Sequence, residues 1–271
     1  MSGKTIAAEE AGNALRLKEL SYSEDENIEL IFQALLSRHV DGIIWAVPEI
    51  GENRSWVRRP INVNVPIVYL TMEPQESISI VSVNNYEGGR LATSHLLEQG
   101  YRNIGHIAGP LSWWEARQRS AGWKDTLLEA GVECRTSHCV EGNWSSASGA
   151  RAAKILFEQY PQIDAVFVAN DQMALGVVKI AHQRGMRIPE DIGVVGFDNI
   201  LESAYFLPSL TTVQQDQYHV ARVAVEQIIK IIEFGRQGLN PVGQRSIILP
   251  PTLIVRQSST RKMEGGERPG S

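Results

Sequence analysis

The sequence predicts an α/β protein in which parallel sheets are covered by helices on both faces. Short apolar, β-branched runs alternate with longer amphipathic segments from one end to the other, and parallel strands need helical crossovers of this kind. A length of 271 residues suits one large unit or two lobes. The chain is 43% hydrophobic and 21% charged, which excludes a disordered chain, a collagen and a coiled coil.

Seven apolar runs are predicted as strands, because each is short and rich in residues that favour buried strands. These runs are DGIIWAVP around Ile43, VPIVYLT around Val68, SIVSV around Val81, NIGHIAG around Ile107, SHCVEG around Val140, DAVFVA around Phe167 and IGVVGF around Val195. A doubly wound sheet usually begins with a buried strand. The sequence shows none at its start, so the first strand is expected to be missing upstream of Thr5.

Amphipathic segments between these runs are predicted as helices, with apolar residues recurring every three or four positions. The segments are Glu26 to Arg38, Glu87 to Gln99, Glu115 to Ala130, Ala147 to Tyr160, Gln172 to Arg184 and Gln217 to Phe234. Gly100, Gly131 and Gly185 each follow a helix at the usual C-terminal glycine position. The polar, glycine-rich end from Lys262 to Ser271 is expected to be disordered.

Charge and cysteine usage exclude several classes of protein. The 26 Lys and Arg residues against 31 Asp and Glu give 26 − 31 = −5, the wrong sign for a broad phosphate-binding face. No apolar stretch reaches the roughly 18 residues that cross a bilayer, and no signal peptide is visible, so a cytoplasmic protein without a membrane partner is expected. Cys134 and Cys139 are too few for a disulfide framework or a zinc site, and no metal or cofactor is expected.

Polar residues directly after the apolar runs are the candidate ligand contacts, because open parallel sheets bind ligands beyond the carboxyl ends of their strands. Asn170 and Asp171 follow DAVFVA, and Asp198 follows IGVVGF. A carboxylate at a strand end can accept hydrogen bonds from two neighbouring hydroxyls. The alternatives are that Asp171 caps the helix after it and that Asp198 is a solvated loop residue.

Two further candidates lie after the runs NIGHIAG and SHCVEG. Arg119 falls in the first turn of a helix, where an arginine gains nothing from the helix dipole, so a ligand or a carboxylate partner is the better explanation. Arg117 is interpreted as a surface residue. Trp144 places an indole beside the same strand ends, although a core aromatic is equally consistent with the sequence. Bidentate polar groups beside a flat apolar face are typical of a site for a sugar or a similarly small polar molecule.

Motifs for catalysis are absent from the sequence. It contains no G-x-S-x-G elbow, phosphate-binding G-x-x-x-x-G-K, dinucleotide G-x-G-x-x-G or zinc-binding H-E-x-x-H. His95, His106 and His219 fall in apolar periodic segments and are interpreted as structural. The sequence therefore argues against an enzyme.

The ordered runs AVFVANDQMALG, GMRIPEDIGVVGFDN, PSLTTVQQD, LLEQGYRNIGHIAGP, RQRSAGW and LPPTLIVRQSST resemble the ligand-sensing domain of the lactose and galactose repressor family of bacterial transcription regulators. The likeness extends from about Glu24 to Thr260. It implies a fold like the periplasmic sugar-binding proteins, with two Rossmann-like lobes joined by three crossovers. It also implies a homodimer that binds a small-molecule effector, expected to be a sugar.

Site residues and lobe boundaries follow from the same resemblance. The family's effector-binding residues correspond to Arg119, Asn170, Asp198 and Gln215, and Trp144 resembles an aromatic residue that packs on bound sugar. Residues 1–109 with about 217–247 are expected to form the N-terminal lobe. Residues 110–216 with about 248–258 are expected to form the C-terminal lobe, and 259–271 a flexible tail.

Two departures from the family pattern stand out. Asn84 and Asn85 precede the glycine pair where the family often has an Asp-Asn pair, which puts a carboxylate contact from this position in doubt. The helix-turn-helix headpiece and hinge helix are absent, so operator DNA would be reached only through a headpiece that this chain lacks. The chain is then either a fragment or a regulator that has lost its DNA-binding part.

The sequence leaves three functions to consider. The leading hypothesis is an effector-sensing module that controls DNA binding by a dimeric repressor. The alternative is a solute-binding protein of a sugar transporter, which the absence of a signal peptide disfavours. The third is a sugar-modifying enzyme with Asp198 as a general base, which lacks a partner acid or metal set.

Overall fold

The computed structural model describes residues 14–17, 28–47, 64–76, 78–238 and 246–261. The chain forms two compact units. The first unit consists of Met1–Val83 and Asp216–Leu249, and the second of Asn84–Gln215 and Pro250–Ser271. The chain therefore passes from one unit to the other three times, as the resemblance implied.

The first unit contains a parallel sheet of four described strands in the order β1-β2-β3-β9. The strands are β1 (Ile43–Trp45), β2 (Ile67–Leu70), β3 (Ser79–Val83) and β9 (Ser246–Leu249), and the helices are α1 (Ile28–Leu36) and α6 (Gln217–Arg236). Helix α6 packs its apolar stripe, which includes Val220, Ala224 and Ile228, against Val68 and Val81 of the sheet. Burying this stripe holds α6 on the strands.

The second unit contains a six-stranded sheet in the order β10-β8-β7-β6-β4-β5, parallel except that β10 runs antiparallel to β8. Its elements are β4 (Ile104–Ala108), β5 (Cys139–Glu141), β6 (Ala165–Val168), β7 (Gly193–Asp198), β8 (Thr211–Gln214) and β10 (Thr252–Ile254), with helices α2 (Asn85–Glu98), α3 (Trp114–Glu129), α4 (Ser146–Gln159) and α5 (Asp171–Gln183).

The central strands of the six-stranded sheet, β4, β6 and β7, are buried on both faces. Along β6, Val166 and Val168 pack with α4 and α5, whereas Phe167 packs with residues of α2 and α3. Successive side chains of a strand point to opposite faces, so a strand between two helical layers is apolar at every position. This is why the central strands read as unbroken apolar runs.

The predicted elements are confirmed within the described residues. All seven apolar runs form strands, and the six helices lie within about two residues of their predicted bounds. Gly100, Gly131 and Gly185 have φ of +86°, +69° and +72°, the left-handed conformation that glycine adopts most readily after a helix. Strands β8, β9 and β10 were not predicted.

The structure corrects the expected lobe boundary after residue 109. Strand β4 pairs with β6 and β5 of the second unit, so the chain crosses at Asn84, before helix α2 rather than after β4. The expected tail also begins too early. Ser259 is fully buried, and its hydroxyl lies 2.7 Å from Nε2 of His95.

Two other expectations fall outside the described residues: the first strand upstream of Thr5 and the disordered end from Lys262 to Ser271. No helix in the described ranges combines the length and apolar character that crossing a bilayer requires. In the same ranges, His, Cys, Asp and Glu side chains form no group of three suited to a metal. Cys134 and Cys139 are both free thiols.

Candidate functional site

The carboxyl ends of neighbouring strands in the second unit bring the candidate residues together. Strands β6, β7 and β8 are adjacent and parallel. Asn170 follows β6, Asp198 is the last residue of β7, and Gln215 follows β8. Arg119 reaches the same place from helix α3, as its contacts with Ala169 and Asp198 show.

Arg119 is the centre of the site, although only 4% of its surface is exposed. Its Nε donates to Oδ1 of Asn85 at 2.8 Å, and Nη1 donates to the carbonyl oxygen of Ala169 at 2.5 Å. Nη1 also lies 3.7 Å from Oδ1 of Asp198. The guanidinium stacks on the ring of Phe197, 3.7 Å from its centroid. These contacts fix the cation in one orientation.

Nearby carboxylates offset part of the cost of burying this cation. Desolvation lowers the pKa of Arg119, whereas Asp198, Glu115 and Asp171 raise it. An arginine nevertheless stays protonated in proteins. The site therefore presents a fixed positive charge with a carboxylate beside it.

Asp198 has an unusual backbone conformation. Its φ is +105°, and that of Asn199 is +54°, so two successive residues other than glycine depart from the ordinary negative range. Oδ1 of Asp198 accepts a hydrogen bond of 2.6 Å from Nε2 of Gln215. Burial raises the pKa of Asp198, against the opposing effects of Arg119 and Gln215.

Trp144 lies close to Arg119. Its indole ring occupies the space that a Cβ on Gly109 would need, at 2.0 Å. The guanidinium of Arg119 is 5.6 Å from its ring centroid, and Trp113 meets the ring edge-on at 5.5 Å. The indole nitrogen is buried without a hydrogen-bond partner among the described residues.

The side-chain amide of Asn170 is hydrogen-bonded to backbone groups of neighbouring segments. Its Oδ1 accepts from the amide of Met173 at 2.9 Å and so caps helix α5. Its Nδ2 donates to the carbonyl oxygen of Trp144 at 3.0 Å. All five predicted residues thus lie in one connected cluster of the second unit.

The expected helix-capping role of Asp171 is wrong, because Asn170 is the cap. Asp171 is instead fully buried. Its Oδ1 accepts from the hydroxyl of Thr212 at 2.7 Å, and its Oδ2 accepts from the amide of Ile200 at 3.0 Å. These bonds tie the loop after β7 to the start of helix α5. Burial outweighs them and raises the pKa of Asp171 to about 7.

This raised pKa predicts a pH-dependent stability. A carboxyl group that holds its proton more tightly when folded favours the folded state at low pH, and that contribution is lost as pH rises from about 4 to about 7. In Asp171→Asn the amide cannot ionise. The free energy of unfolding of the variant, relative to that of the original chain, is expected to rise with pH by a few kcal/mol (~1.4 per pKa unit).

Urea unfolding at pH 4.5, 6.0 and 7.5 measures this difference. Asp191→Asn is the matched control, because its ion pair with the exposed Arg187 lowers the pKa of Asp191 to about 2. The Asp191 carboxylate stops stabilising the folded state only in more acidic solution than this. The free energy of unfolding of Asp191→Asn, relative to that of the original chain, should therefore not rise between pH 4.5 and 7.5. Parallel pH profiles for the Asp171 variant and the original chain would contradict the prediction.

Sequence reasoning missed Asn85, Phe197 and Thr212 as site residues. Asn85 was noted only as a departure from the family pattern, yet its amide oxygen bonds Arg119. The only available signal was position: Asn85 precedes a glycine pair, and Phe197 precedes the strand-end aspartate.

Two of the three histidines singled out from the sequence are buried and bonded, as expected. His106 is wholly buried between the carbonyl oxygen of Phe167 and the hydroxyl of Ser120. Burial lowers its pKa to about 4, which leaves it neutral. His95 is buried against Ser259. His219 is only half-buried, with Nδ1 3.2 Å from Nη2 of Arg222.

The family model described as a periplasmic binding protein-like domain matches residues 93–259, more than half of the chain. The ribose operon repressor of Halalkalibacterium halodurans is 35% identical over 246 residues, which cover 90% of this chain and 69% of the relative. The transcriptional repressor PurR of Haemophilus influenzae is 29% identical, with 87% of this chain and 69% of the relative covered.

Solved structures agree. A lac repressor dimer bound to operator and the anti-inducer ONPF matches with a TM-score of 0.84 at 29% identity, covering 96% of this chain and 87% of the other. A complex of the transcriptional regulator CelR with cellobiose matches with a TM-score of 0.83 at 30% identity, covering 94% and 76%.

Fold and matches together define a ligand-binding domain of the periplasmic-binding-protein type. The chain belongs to the lactose and galactose repressor family of transcription regulators, and it corresponds to the family's effector-binding module. The predicted resemblance is confirmed. These relatives are transcriptional repressors, so the module is regulatory and the transporter alternative is not supported.

Proposed function

We propose that this chain senses a sugar for a transcription repressor. In this proposal Arg119, Asp198, Trp144 and Gln215 contact the sugar, and Asn170 supports the site by holding the backbone of Trp144. The observation that carries the proposal is the pairing of Asp198 with Arg119. Oδ1 of Asp198 forms an ion pair with Arg119 and accepts a hydrogen bond from Gln215. Of the Asp198 side chain, 28% remains exposed. Its second oxygen is then available to accept hydrogen bonds from sugar hydroxyls.

The residues around this pair support a sugar rather than an anion. A carboxylate at the site repels anionic ligands, whereas charge-assisted hydrogen bonds to hydroxyls and an aromatic surface suit a neutral polyol. Trp113 and Trp144 supply that surface. One similar protein is a ribose operon repressor, and the structure of another was solved as a complex with cellobiose. In this role the module binds its ligand without turning it over.

The regulatory step follows from linkage. A ligand shifts the balance between two conformations only as far as it binds one of them better. We propose that the bound sugar changes the operator affinity of a repressor acting in the cytoplasm, through a headpiece of the family's type. The net charge of −5 argues against DNA binding by the effector module itself.

A homodimer is part of the proposal. Leu201, Tyr205 and Leu207 fall within one short segment and are 86%, 85% and 81% exposed. Exposed apolar clusters of this kind mark interaction surfaces, and a matched lac repressor structure is a dimer. We propose that a second copy of the chain covers this segment. Sedimentation of the chain measures whether it forms a dimer.

Thermal unfolding with a ligand panel tests the sugar-sensing proposal. The panel is D-ribose, D-galactose, lactose, cellobiose, glucose 6-phosphate and hypoxanthine. One sugar is expected to raise the melting temperature, because a ligand at about 100 times its Kd stabilises the folded state by roughly 2.7 kcal/mol. Asp198→Asn should lose most of that shift. A shift from hypoxanthine alone would overturn the sugar assignment, and no shift from any member would overturn the proposed function.

A further inference from the structure

The turn after strand β7 is held in a conformation that its residues do not prefer. Asp198 and Asn199 have φ of +105° and +54°, and residues other than glycine keep such values only where their surroundings enforce them. The direction of the Asp198 carboxylate depends on this backbone. The groups that enforce the turn therefore decide where the carboxylate points.

Two backbone amides of the turn are fixed from the sheet and from helix α5. The amide of Asn199 donates to the hydroxyl oxygen of Thr212 at 3.2 Å. The amide of Ile200 donates to Oδ2 of Asp171 at 3.0 Å. Since Thr212 also donates to Asp171 at 2.7 Å, the two anchors brace each other.

The side chain of Asn199 is held by Arg256, which follows strand β10. Nη2 of Arg256 donates to Oδ1 of Asn199 at 2.8 Å, and Nη1 donates to the carbonyl oxygen of Leu210 at 2.7 Å. The backbone of Arg256 is itself fixed: its amide donates to the hydroxyl oxygen of Thr211 at 2.8 Å. A planar guanidinium thus bridges the turn and the residue that leads into β8.

We infer that Arg256 is a positioning residue for effector binding: it locks Asn199 in the left-handed conformation and thereby aims the Asp198 carboxylate. The inference rests on the proposed function, in which Asp198 contacts the ligand. Arginine suits the task because its fork reaches two acceptors in fixed directions. A lysine ammonium is a point charge without that planar geometry.

The contacts separate this role from a general structural one. Arg256 contacts the residue next to Asp198, not Asp198 itself, in the bonds described above. Its effect on affinity should therefore pass through the Asp198 carboxylate. Removing that carboxylate should make the affinity insensitive to Arg256, whereas a loss of stability would persist.

A double-mutant cycle of Arg256→Met with Asp198→Asn tests the inference. The probe is the panel sugar that most stabilises the original chain, titrated by calorimetry. Arg256→Met is expected to raise Kd about tenfold, the worth of one charge-assisted hydrogen bond, and Arg256→Lys by less. In the Asp198→Asn background, Arg256→Met should change Kd by less than about twofold.

Arg102→Met is the matched control. Its guanidinium also donates to backbone carbonyls, those of Leu97 and Tyr101, in the same unit. It should lower the melting temperature and leave Kd unchanged. An equal effect of Arg256→Met in both backgrounds, or no effect, would overturn the inference.

A measurement without ligand separates failure of the inference from failure of the proposed function. Hydrogen exchange at the amides of Asn199 and Ile200 should be about tenfold faster in Arg256→Met, or in Arg256→Lys if the Met variant does not fold, than in Arg102→Met. Unchanged exchange would overturn the positioning role even if no panel member binds. Faster exchange in a chain that binds no panel member would support the lock, and the proposed function would be what fails.

Discussion

Replacing Arg119 with alanine is expected to abolish sugar binding, with a loss of affinity of at least about 100-fold. It should also lower the free energy of unfolding by about 3 kcal/mol, because buried polar groups would be left without their hydrogen-bond partner. Asn85 and Ala169 would lose their donor, and Asp198 its neighbouring cation. Calorimetric titration gives the first quantity and urea unfolding the second.

Arg117→Ala controls for the loss of an arginine from the same helix. The Arg117 guanidinium bonds the carbonyl oxygens of Leu111 and Ser112 at the helix start and takes no part in the described site contacts. Its removal should cost less than about 1 kcal/mol and leave affinity intact. Equal losses of affinity in the two variants would contradict a binding role for Arg119.

Gly122→Ala is expected to destabilise the second unit by about 3 kcal/mol, at the upper end for one added methyl group. A Cβ at this position would lie 2.2 Å from the carbonyl oxygen of Tyr86, and one on Gly89 would lie 2.3 Å from the carbonyl oxygen of Arg119. Helices α2 and α3 therefore meet backbone to backbone. Separating them would displace the segment that carries Arg119, so affinity should fall together with stability.

Gly235→Ala is the same substitution in another helix and should have the opposite sign. Among the described residues, no atom lies within 4 Å of a Cβ at Gly235, so the change should stabilise the chain by up to about 1 kcal/mol through helix propensity. Urea unfolding of the two variants compares them directly. If Gly122→Ala also stabilised the chain, the close approach of α2 and α3 would be refuted.

Apolar runs predicted seven strands, including β3 with its buried Ser79 and Ser82, and missed β8, in which polar residues predominate. Strand β8 reads TTVQ, yet Thr211 and Thr212 are fully buried because their hydroxyls bond Arg256, Ser259 and Asp171. A buried hydroxyl and an exposed one look alike in a sequence. Strands β9 (SIIL) and β10 (TLI) are apolar but short and partly exposed, and sequence reasoning did not single them out.

The boundary between the units could not be predicted from local pattern. Strands β3 and β4 are similar apolar runs, and each is fully buried. The two strands belong to different sheets because β3 pairs with β9 and β4 pairs with β6, each far away in the sequence. Such pairing is set by the whole fold, and no feature of either run specifies it.

Strand ends and family motifs led to the five candidate residues, whereas their supporting contacts came only from the structure. Asn170 and Asp171 are adjacent and both suited to capping a helix, and only the structure separates the cap from the buried carboxylate. Arg256 lies far along the chain from Asn199, in a segment that sequence reasoning placed at the end of a lobe. Hydrogen bonds between such distant positions leave no local signal.

Each sheet includes a strand from the last part of the described residues. Strand β9 pairs with β3 in the first unit, and β10 pairs with β8 in the second. Until residues beyond Leu249 leave the exit tunnel, a nascent chain lacks these strands, so the open sides of β3 and β8 are available to wrong partners. Neither sheet can be completed before that point in synthesis, and until then the open edges make the incomplete chain prone to aggregate.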